Sequence, residues 1–312
     1  MVMSAERLEL RIDCRNELGE TPAWCAGSTT LYWIDVVKPG RVFYWQTETD
    51  LVDFWDFDDL VTGLNLVAQG GLLVHGACDI FLFDPASRAQ KLIFSLPDSA
   101  IPMRFNDGHC DHAGRLWVGS MPDNLSKHGA IPPGYENSGQ LYVVGAATTN
   151  SFDVRLGCPN AICWSPDGGT FYIADSCDGW LYAYRFDAAQ GTVSKRRPFF
   201  RLDDCGIPDG AAVDCDGYIW NARWDGGAVV RISPDGRLDR IVHLPTSRPT
   251  ACCFGGMDRK TLYVTSARFG LTPGQLKTEP FAGGIFTMRV DVPGIEIPSF
   301  HAPESIATAD LN

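Results

Sequence analysis

The sequence contains no long hydrophobic run and has few basic residues for its length. None of its stretches reaches the ~18 consecutive apolar residues that a membrane-spanning helix needs. Its first ten residues, MVMSAERLEL, place charges where a secretory signal peptide is apolar. Lys and Arg number 26 against 38 Asp and Glu, and the net charge of −12 argues against nucleic acid or an anionic membrane as a partner. We therefore expect a cytoplasmic protein without nucleic-acid, membrane or obligatory protein partners.

Several motifs of common enzyme classes are also missing. The sequence has no GxSxG, no HExxH, no glycine-rich phosphate loop and no Rossmann fingerprint, so the chemistry of those motifs is not indicated. The eleven cysteines form no CxxC pair, and Cys163, Cys252 and Cys253 lie inside apolar runs. This pattern is typical of small buried side chains in a reducing compartment.

No linker divides the chain, and helical hydrophobic spacing is hard to find. The 32 glycines and 20 prolines are spread along all 312 residues. Between them lie short apolar runs that often alternate and end in turn residues, which is strand behaviour. With 45% hydrophobic residues the chain has ample material for a core. We predict an all-β fold in a single domain over residues 1–312.

A repeat of short strands runs through the sequence. Six segments align on a shared apolar start: TTLYWIDV, GLLVHG, GRLWVGS, GTFYIADS, GYIWNAR and KTLYVTSA. Their first aligned apolar residues, spaced by 41, 44, 55, 48 and 43, are Leu31, Leu72, Leu116, Phe171, Ile219 and Leu262. A repeat of about 40–50 residues built from short strands is typical of propeller blades. The sequence therefore predicts a six-bladed β-propeller.

Each unit continues into a third strand and needs a closing partner at the chain ends. The third strands are expected at 41–45, 80–84, 139–144, 179–186, 227–232 and 283–290. Either RLELRI at 7–12 or the segment near 297–301 should supply the strand that closes the ring.

Counting back from each second strand gives one equivalent position at the start of each innermost strand. These positions are all polar: Glu20, Thr62, Asn106, Asn160, Asp209 and Thr250. In a propeller they lie in a ring around one mouth of the central channel. Polar strand starts and turn caps explain any one of them. Two acids and two amides converging on one axis instead favour a bound cation over a solvated polar mouth.

The candidate ligands are all oxygen atoms, from the carboxylates of Glu20 and Asp209 and the amide of Asn160. Such ligands suit hard divalent cations. With three protein ligands, water or substrate fills the remaining positions, as at catalytic metals. Arg104 precedes ring member Asn106 by two residues, and its planar donor fork could hold oxygen atoms of a ligand, although a strand-start arginine is commonly a surface charge.

Two long loops should lie over the same mouth. Residues 121–138 and 268–282 connect second and third strands. We interpret them as a lid and specificity wall, and the alternative is that they are insertions without a function. The segment HCDH at 109–112 looks like a metal pair. It lies at the turn leaving an inner strand, towards the opposite mouth, so we do not expect it to bind metal there.

Five segments taken together resemble the senescence marker protein/gluconolactonase/luciferin-regenerating family. They are LGETPAW, RFNDGHCDHAGRLWVGSM, PNAICWSPDG, IPDGAAVDCDGYIW and CCFGG followed by LYVTSAR and GGIF. They occur in order from about residue 17 to 290. The resemblance implies a six-bladed propeller with one divalent metal in its channel, whose identity among Ca, Zn, Mn, Mg and Fe stays open. It also implies hydrolysis of sugar lactones in carbohydrate metabolism.

The resemblance also implies roles for individual residues. The metal-binding residues of the family fall on Glu20, Asn160 and Asp209, and its substrate contacts fall on Arg104 and Asn106. A glutamate that contacts sugar in regucalcin-like members falls at Asp123 or Asn124, where this sequence departs from the family. The implied mechanism has the metal polarising the lactone carbonyl while Asp209 takes a proton from the attacking water.

The predicted function is metal-dependent hydrolysis of an aldonolactone by a carboxylic-ester hydrolase, with catalytic Asp209 and substrate contacts at Arg104, Asn106, Asp123 and Asn124. Two alternatives use the same architecture. One is a non-catalytic regulatory propeller that binds a divalent metal, and the other is a hydrolase of organophosphates or other esters. A non-catalytic protein would need neither an open metal position nor a lid.

Overall fold

Six four-stranded antiparallel sheets contain all the strands of the computed structural model, which describes residues 8–125, 133–145 and 149–302. The first strand, β1 (Glu9–Ile12), precedes the first complete sheet. Strands of blades one to three follow in chain order: β2 (Gly19–Cys25), β3 (Thr30–Asp35), β4 (Gly40–Gln46), β5 (Leu51–Phe57), β6 (Val61–Leu66), β7 (Leu72–Gly76), β8 (Asp79–Phe83), β9 (Gln90–Ser95), β10 (Met103–Cys110), β11 (Leu116–Pro122), β12 (Gly139–Val144) and β13 (Thr149–Leu156).

Blades four to six repeat this pattern. Their elements in chain order are β14 (Pro159–Trp164), β15 (Thr170–Asp175), β16 (Trp180–Asp187), β17 (Thr192–Arg201), β18 (Ile207–Val213), β19 (Ile219–Trp224), β20 (Ala228–Ile232), β21 (Leu238–His243), β22 (Pro249–Gly255), β23 (Thr261–Ser266), α1 (Pro273–Thr278) and β24 (Ile285–Arg289). The predicted second and third strands of every unit are confirmed.

The innermost strands form a closed ring. Strands β2, β6, β10, β14, β18 and β22 each contact the next in this order, and β22 contacts β2. The six sheets therefore surround a central channel, and the predicted six-bladed propeller is confirmed. The assignment of all 312 residues to one domain stays a prediction.

The N-terminal candidate supplies the closing strand. Strand β1 pairs antiparallel with β24, placing Glu9 opposite Thr287, so blade six combines both ends of the propeller. Its pairing also leaves no free edge on β24. Of the two candidate segments, the one near 297–301 is therefore not the closing strand.

The C-terminal segment instead crosses the mouth of the channel opposite to the strand starts. The backbone N–H of Ile295 donates to the Val213 carbonyl at the end of β18. That of Phe300 donates to the Leu66 carbonyl at the end of β6, and the Phe300 side chain is fully buried. Ile295 also lines a small apolar cavity of about 60 Å³ at this mouth. This end of the channel is covered by protein.

Hydrophobic clusters lie between neighbouring blades. One unites Ala161 and Tyr172 of blade four with Val213 and Val230 of blade five. Another packs Trp33 of blade one with Tyr263 of blade six. Their burial results from the alternating apolar residues of the repeat, since every second residue of a strand faces the same side. The blades are held together around the channel by side-chain packing and not by backbone pairing alone.

The HCDH segment organises a turn. Asp111 is fully buried, and its carboxylate accepts hydrogen bonds from the N–H of Ala113 and from Trp117 Nε1. Asp214 makes the equivalent bonds in blade five, where Trp220 Nε1 is one donor. The two histidines of the segment, His109 and His112, line the small apolar cavity at the covered mouth. The segment lies away from the ring of strand starts, as expected.

None of the helices among the described residues is both long and apolar enough to cross a bilayer. All eleven cysteines lie in described parts of the chain, and each is a free thiol.

Candidate active site

A cavity of about 410 Å³ opens at the mouth where the innermost strands begin. Four of the six predicted ring residues line it: Glu20, Asn106, Asn160 and Asp209. They come from blades one, three, four and five. The repeat thus brings together residues that are up to 189 positions apart in the sequence.

The two ring threonines differ from the other four members. The Thr62 hydroxyl donates to the carbonyl of Gly76, and the Thr250 hydroxyl donates to the carbonyl of Gly19. Both hydroxyls therefore satisfy backbone groups of the inner strands. Thr62 borders a smaller cavity of about 30 Å³ next to Glu20. We assign the two threonines to support of the channel wall.

A bulge in the backbone accompanies each ring position. In every innermost strand the register with the second strand shifts at the ring residue, for example between Glu20 and Ala23 and between Asn160 and Cys163. Thr21 follows Glu20 and Ala161 follows Asn160, and these two residues have φ values of 47° and 52°. Left-handed non-glycine residues cost about 1–3 kcal/mol each and cluster at functional sites. Bulges also redirect side chains, here towards the channel.

The amide of Asn160 has a defined orientation. The Pro208 carbonyl can only accept, so the Ser176 hydroxyl donates to it over 2.6 Å. Ser176 Oγ then accepts from Asn160 Nδ2 at 2.8 Å. The Asn160 Oδ1 atom is left on the other side, where Asn106 Nδ2 donates to it over 2.9 Å. An amide oxygen has two lone pairs, so one remains for a further partner.

We expect Ser176→Ala to weaken binding of a divalent cation by about 10–100-fold, the usual effect of losing a group that orients a ligand. Without the Ser176 hydroxyl, the Asn160 amide can rotate and present its NH₂ group instead of Oδ1. Calorimetric titration with Ca²⁺ and Mn²⁺ measures the change. Ser165→Ala is the control, because Ser165 follows the end of β14 directly and does not line the cavity. Equal affinities in both variants and the parent protein would contradict the assigned role.

Asp209 is buried and Glu20 is partly buried, and the carboxylates of both lack a cationic partner in the described part of the chain. Among described residues, neither Glu20 nor Asp209 has a Lys, Arg or His nitrogen within 4.0 Å. Burial raises the pKa of Glu20 well above its usual range, and the charges of Asp209 and Asp107 add to the effect. Burial raises the pKa of Asp209 in the same way, followed by the charge of Asp107. A positive charge between them would offset this cost.

Asp107 has a positive neighbour of its own. His109 Nε2 lies 3.3 Å from Asp107 Oδ1, and the N–H of Ile162 donates to Asp107 Oδ2 over 2.9 Å. Burial alone would raise the pKa of Asp107, but the charge of His109 and these hydrogen bonds outweigh it, so the pKa is lowered. The lowered pKa favours the anionic form of Asp107, whose charge acts on Glu20 and Asp209.

The donor set fits a hard divalent cation. It consists of two carboxylates and one amide oxygen, and oxygen ligands of this kind suit Ca²⁺, Mg²⁺ and Mn²⁺. Within the described parts of the chain, no three His, Cys, Asp or Glu side chains form a metal-ligand cluster. A third protein ligand would then come from another residue type, and Asn160, whose amide is already oriented, is the predicted one.

Arg104 lies beside this set and is held by amides. It is 5% exposed, and burial lowers the pKa of its guanidinium. Nη1 donates to Asn106 Oδ1 at 2.7 Å and to the Phe105 carbonyl at 2.8 Å. Nε and Nη2 both donate to Asn124 Oδ1, at 3.0 and 2.7 Å. The predicted substrate contacts Arg104, Asn106 and Asn124 thus form one connected group, which continues through Asn106 to Asn160.

Asp123 and Asn124 are the two candidates for the sugar-contacting position at which this sequence departs from the family. They line different cavities. Asn124 lines the 410 Å³ cavity and contacts Arg104. Asp123 borders a neighbouring cavity of about 580 Å³, and its Oδ1 accepts from the N–H of Leu125. The structure therefore brings Asn124, and not Asp123, to the candidate ligands.

Both predicted lid loops contribute to the cavity wall. Leu125 comes from the first loop and Phe269 from the second. Residues 126–132 of the first loop lie outside the described residues. In the second loop, Glu279 Oε2 accepts hydrogen bonds from the N–H and hydroxyl of Ser247, which ties the loop to the connection between β21 and β22. That these loops act as a lid stays a prediction.

Sequence reasoning missed residues at the ends of the second strands. Met121, Ser176 and Trp224 all line the cavity. Each lies five positions after the first aligned apolar residue of its repeat unit. The alignment that found the ring therefore contained a second ring, which would have pointed to Ser176 as a partner of Asn160.

Comparisons with known proteins show the family and the fold of the chain. The model of the SMP-30/Gluconolactonase/LRE-like region matches residues 18–268. A 6-deoxy-6-sulfogluconolactonase from Pseudomonas putida is 35% identical over 288 residues, covering 91% of this chain and 94% of the relative. An L-arabinolactonase from Azospirillum brasilense is 35% identical over 305 residues, covering 95% and 96%.

A solved structure shares both fold and sequence. It is a calcium-binding protein, regucalcin, from Agrobacterium tumefaciens, with a TM-score of 0.86, 27% identity and coverage of 95% of this chain and 98% of that one. The bulged inner strands and all residues that line the strand-start cavity except Phe269 lie within the matched region, residues 18–268. The chain belongs to the SMP-30/gluconolactonase/LRE-like family.

Proposed function

We propose that this protein is a metal-dependent hydrolase of sugar lactones. The observation that carries the proposal is the pair of carboxylates, partly buried Glu20 and buried Asp209, that share an open cavity with the oriented oxygen of Asn160. Relatives named as lactonases cover more than nine-tenths of the chain. The cavity volume of about 410 Å³ is within the usual range for small-molecule sites.

Glu20, Asn160 and Asp209 would hold the cation. When bound, a divalent cation supplies positive charge that stabilises the negative charge developing on the lactone carbonyl oxygen. Which ion the protein uses is part of the proposal, and calcium is one candidate because the Agrobacterium regucalcin is a calcium-binding protein.

Asp209 is the proposed general base. It lines the cavity and is 7% exposed, so its carboxylate is shielded from bulk water but reachable by a bound water. Its backbone carbonyl accepts from Asn221 Nδ2 at 2.7 Å, which fixes the strand at this point. A carboxylate held in this way can take the proton of a water that attacks the lactone carbonyl.

Arg104, Asn106 and Asn124 are the proposed substrate contacts. Both hydrogens of the Asn106 amide are already donated, to Pro159 O and Asn160 Oδ1, so Asn106 can only accept from a substrate hydroxyl. Arg104 can only donate. Blade three therefore offers sugar hydroxyls both a hydrogen-bond donor and a hydrogen-bond acceptor.

Acid release from a panel of lactones tests the proposed activity. Metal-loaded protein is incubated with glucono-, galactono-, xylono- and arabinonolactone, and a pH indicator follows the reaction. Saturable, metal-dependent release with at least one lactone is expected. Metal binding without turnover of any lactone would favour the non-catalytic reading, and turnover of phosphotriesters alone would favour the organophosphate reading.

We expect Asn124→Ala to change the relative kcat/KM among lactones that differ at one hydroxyl by about 1–3 kcal/mol, the cost of leaving a buried partner unsatisfied. Asp123→Ala is the matched control because Asp123 borders the neighbouring cavity. Rates of each variant across the lactone panel measure the effect. If Asn124→Ala hydrolyses the lactones with the same relative kcat/KM values as the wild-type protein, Asn124 does not determine specificity.

A further inference from the structure

The charge of Arg104 has no carboxylate partner in the cavity. Among the described residues, no Asp or Glu oxygen lies within 4.0 Å of its guanidinium, although the side chain is only 5% exposed. Its three acceptors are the Phe105 carbonyl, Asn106 Oδ1 and Asn124 Oδ1, all of them uncharged. A buried charge usually has a charged partner, since uncharged acceptors only partly replace lost hydration.

The hydrogen-bonding capacity of Arg104 is also incompletely used. A guanidinium carries five N–H groups. Among the described residues, Nε donates one hydrogen bond and Nη1 donates two, whereas Nη2 donates only to Asn124 Oδ1. One N–H of Nη2 is left, and Arg104 lines the cavity. The side chain is therefore held in place by amides and still has a donor for a ligand.

The carboxylates nearest to Arg104 are either assigned to other partners or line another cavity. Asp107 faces His109 at 3.3 Å. Glu20 and Asp209 are the carboxylates that the cation would neutralise. Asp123 borders the neighbouring cavity, where its Oδ1 accepts from Leu125 N–H. Burial lowers the pKa of Arg104, whereas the charge of Asp123 acts from a distance to raise it. With a divalent cation in place, the Arg104 guanidinium still has no carboxylate within 4.0 Å among the described residues.

We infer that the site prefers lactones carrying an anionic group, such as a phosphate, sulfonate or carboxylate, on a ring substituent that reaches Arg104. This inference rests on the proposed function and names the substrate class. Arg104 and Asp209 line one cavity from blades three and five, so a lactone with its carbonyl at Asp209 can extend a substituent towards Arg104. Arginine binds such oxyanions through strong charge-assisted hydrogen bonds.

Kinetic measurements on matched variants at Asn124 test the inference. Glucono-1,5-lactone is compared with its 6-phosphate, its 6-deoxy-6-sulfonate and the lactone of the 1,6-diacid. We expect the wild-type protein to prefer at least one anionic lactone by about tenfold or more in kcat/KM. Asn124→Glu places a carboxylate against Arg104 and should reduce this preference at least about tenfold, because like charges repel. Asn124→Gln, of the same length but uncharged, should retain the preference.

Binding of unreactive analogues gives a readout independent of turnover. Calorimetry compares 1,5-anhydroglucitol, its 6-phosphate and inorganic phosphate on metal-loaded and metal-free protein. The 6-phosphate should bind about tenfold more tightly than the neutral analogue, and Asn124→Glu but not Asn124→Gln should abolish the difference. Arg104→Lys should keep part of the difference and Arg104→Gln none.

The outcomes separate this inference from the proposed function. Neutral and anionic lactones hydrolysed equally well, in wild type and Asn124→Glu alike, would overturn the inference while supporting lactonase activity. Hydrolysis of no lactone, with charge-dependent binding of the anhydroglucitol 6-phosphate, would overturn the proposed function and support only an anion-binding position at Arg104. Binding of inorganic phosphate alone, without preference for the sugar phosphate, would overturn the assigned substrate class.

Discussion

Replacing Asp209 with asparagine is expected to lower kcat for lactone hydrolysis by about 10²–10⁴-fold, the usual contribution of a general base. The variant keeps a carbonyl oxygen for the cation but loses the group that takes the proton from water. The backbone stays fixed because Asn221 Nδ2 bonds the main-chain carbonyl of residue 209, not its side chain. The loss should therefore appear in turnover at saturating metal and substrate.

Asp204→Asn is the matched control, since it removes the same charge from an exposed position five residues upstream. Metal content of both variants is measured alongside kcat, so that loss of the cation is not mistaken for loss of the base. Near wild-type turnover in Asp209→Asn with metal fully bound would move the base elsewhere, for example to a hydroxide on the cation.

Much of this site follows from the repeat in the sequence. Once Leu31, Leu116 and Ile219 are aligned, counting back to the innermost strands places Glu20, Asn106 and Asp209 around one mouth. The inference succeeds because every blade has the same strand order and the inner strands meet at one channel. Position in the repeat, rather than distance along the chain, decides which residues are neighbours.

Other features depend on packing that the repeat does not encode. The choice between the two closing segments was settled by the pairing of Glu9 with Thr287. The choice between Asp123 and Asn124 depends on the turn after β11, where Asp123 bonds the N–H of Leu125 and Asn124 faces Arg104. Such choices arise in irregular loops, where strand alternation no longer fixes the side of each residue.

Removal of the divalent cation should abolish lactone hydrolysis and leave the propeller folded. Glu20, Asn160 and Asp209 belong to three blades, yet the blades do not depend on the cation for contact. Strand pairing joins β1 to β24 across the closure, and the cluster containing Trp33 and Tyr263 seals blade one against blade six. The apo protein therefore retains its strands and core.

The expected cost to stability is small compared with the loss of activity. A cation at a hundredfold excess over its Kd stabilises the folded state by about 2.7 kcal/mol, which corresponds to a shift of only a few degrees in Tm. Far-ultraviolet circular dichroism and thermal unfolding before and after chelation measure this, and adding back Ca²⁺, Mn²⁺, Zn²⁺, Mg²⁺ or Fe²⁺ one at a time identifies the ion that restores turnover. Full activity in protein shown to be free of metal would contradict the mechanism, because no positive charge would then stabilise the charge that develops on the lactone carbonyl oxygen.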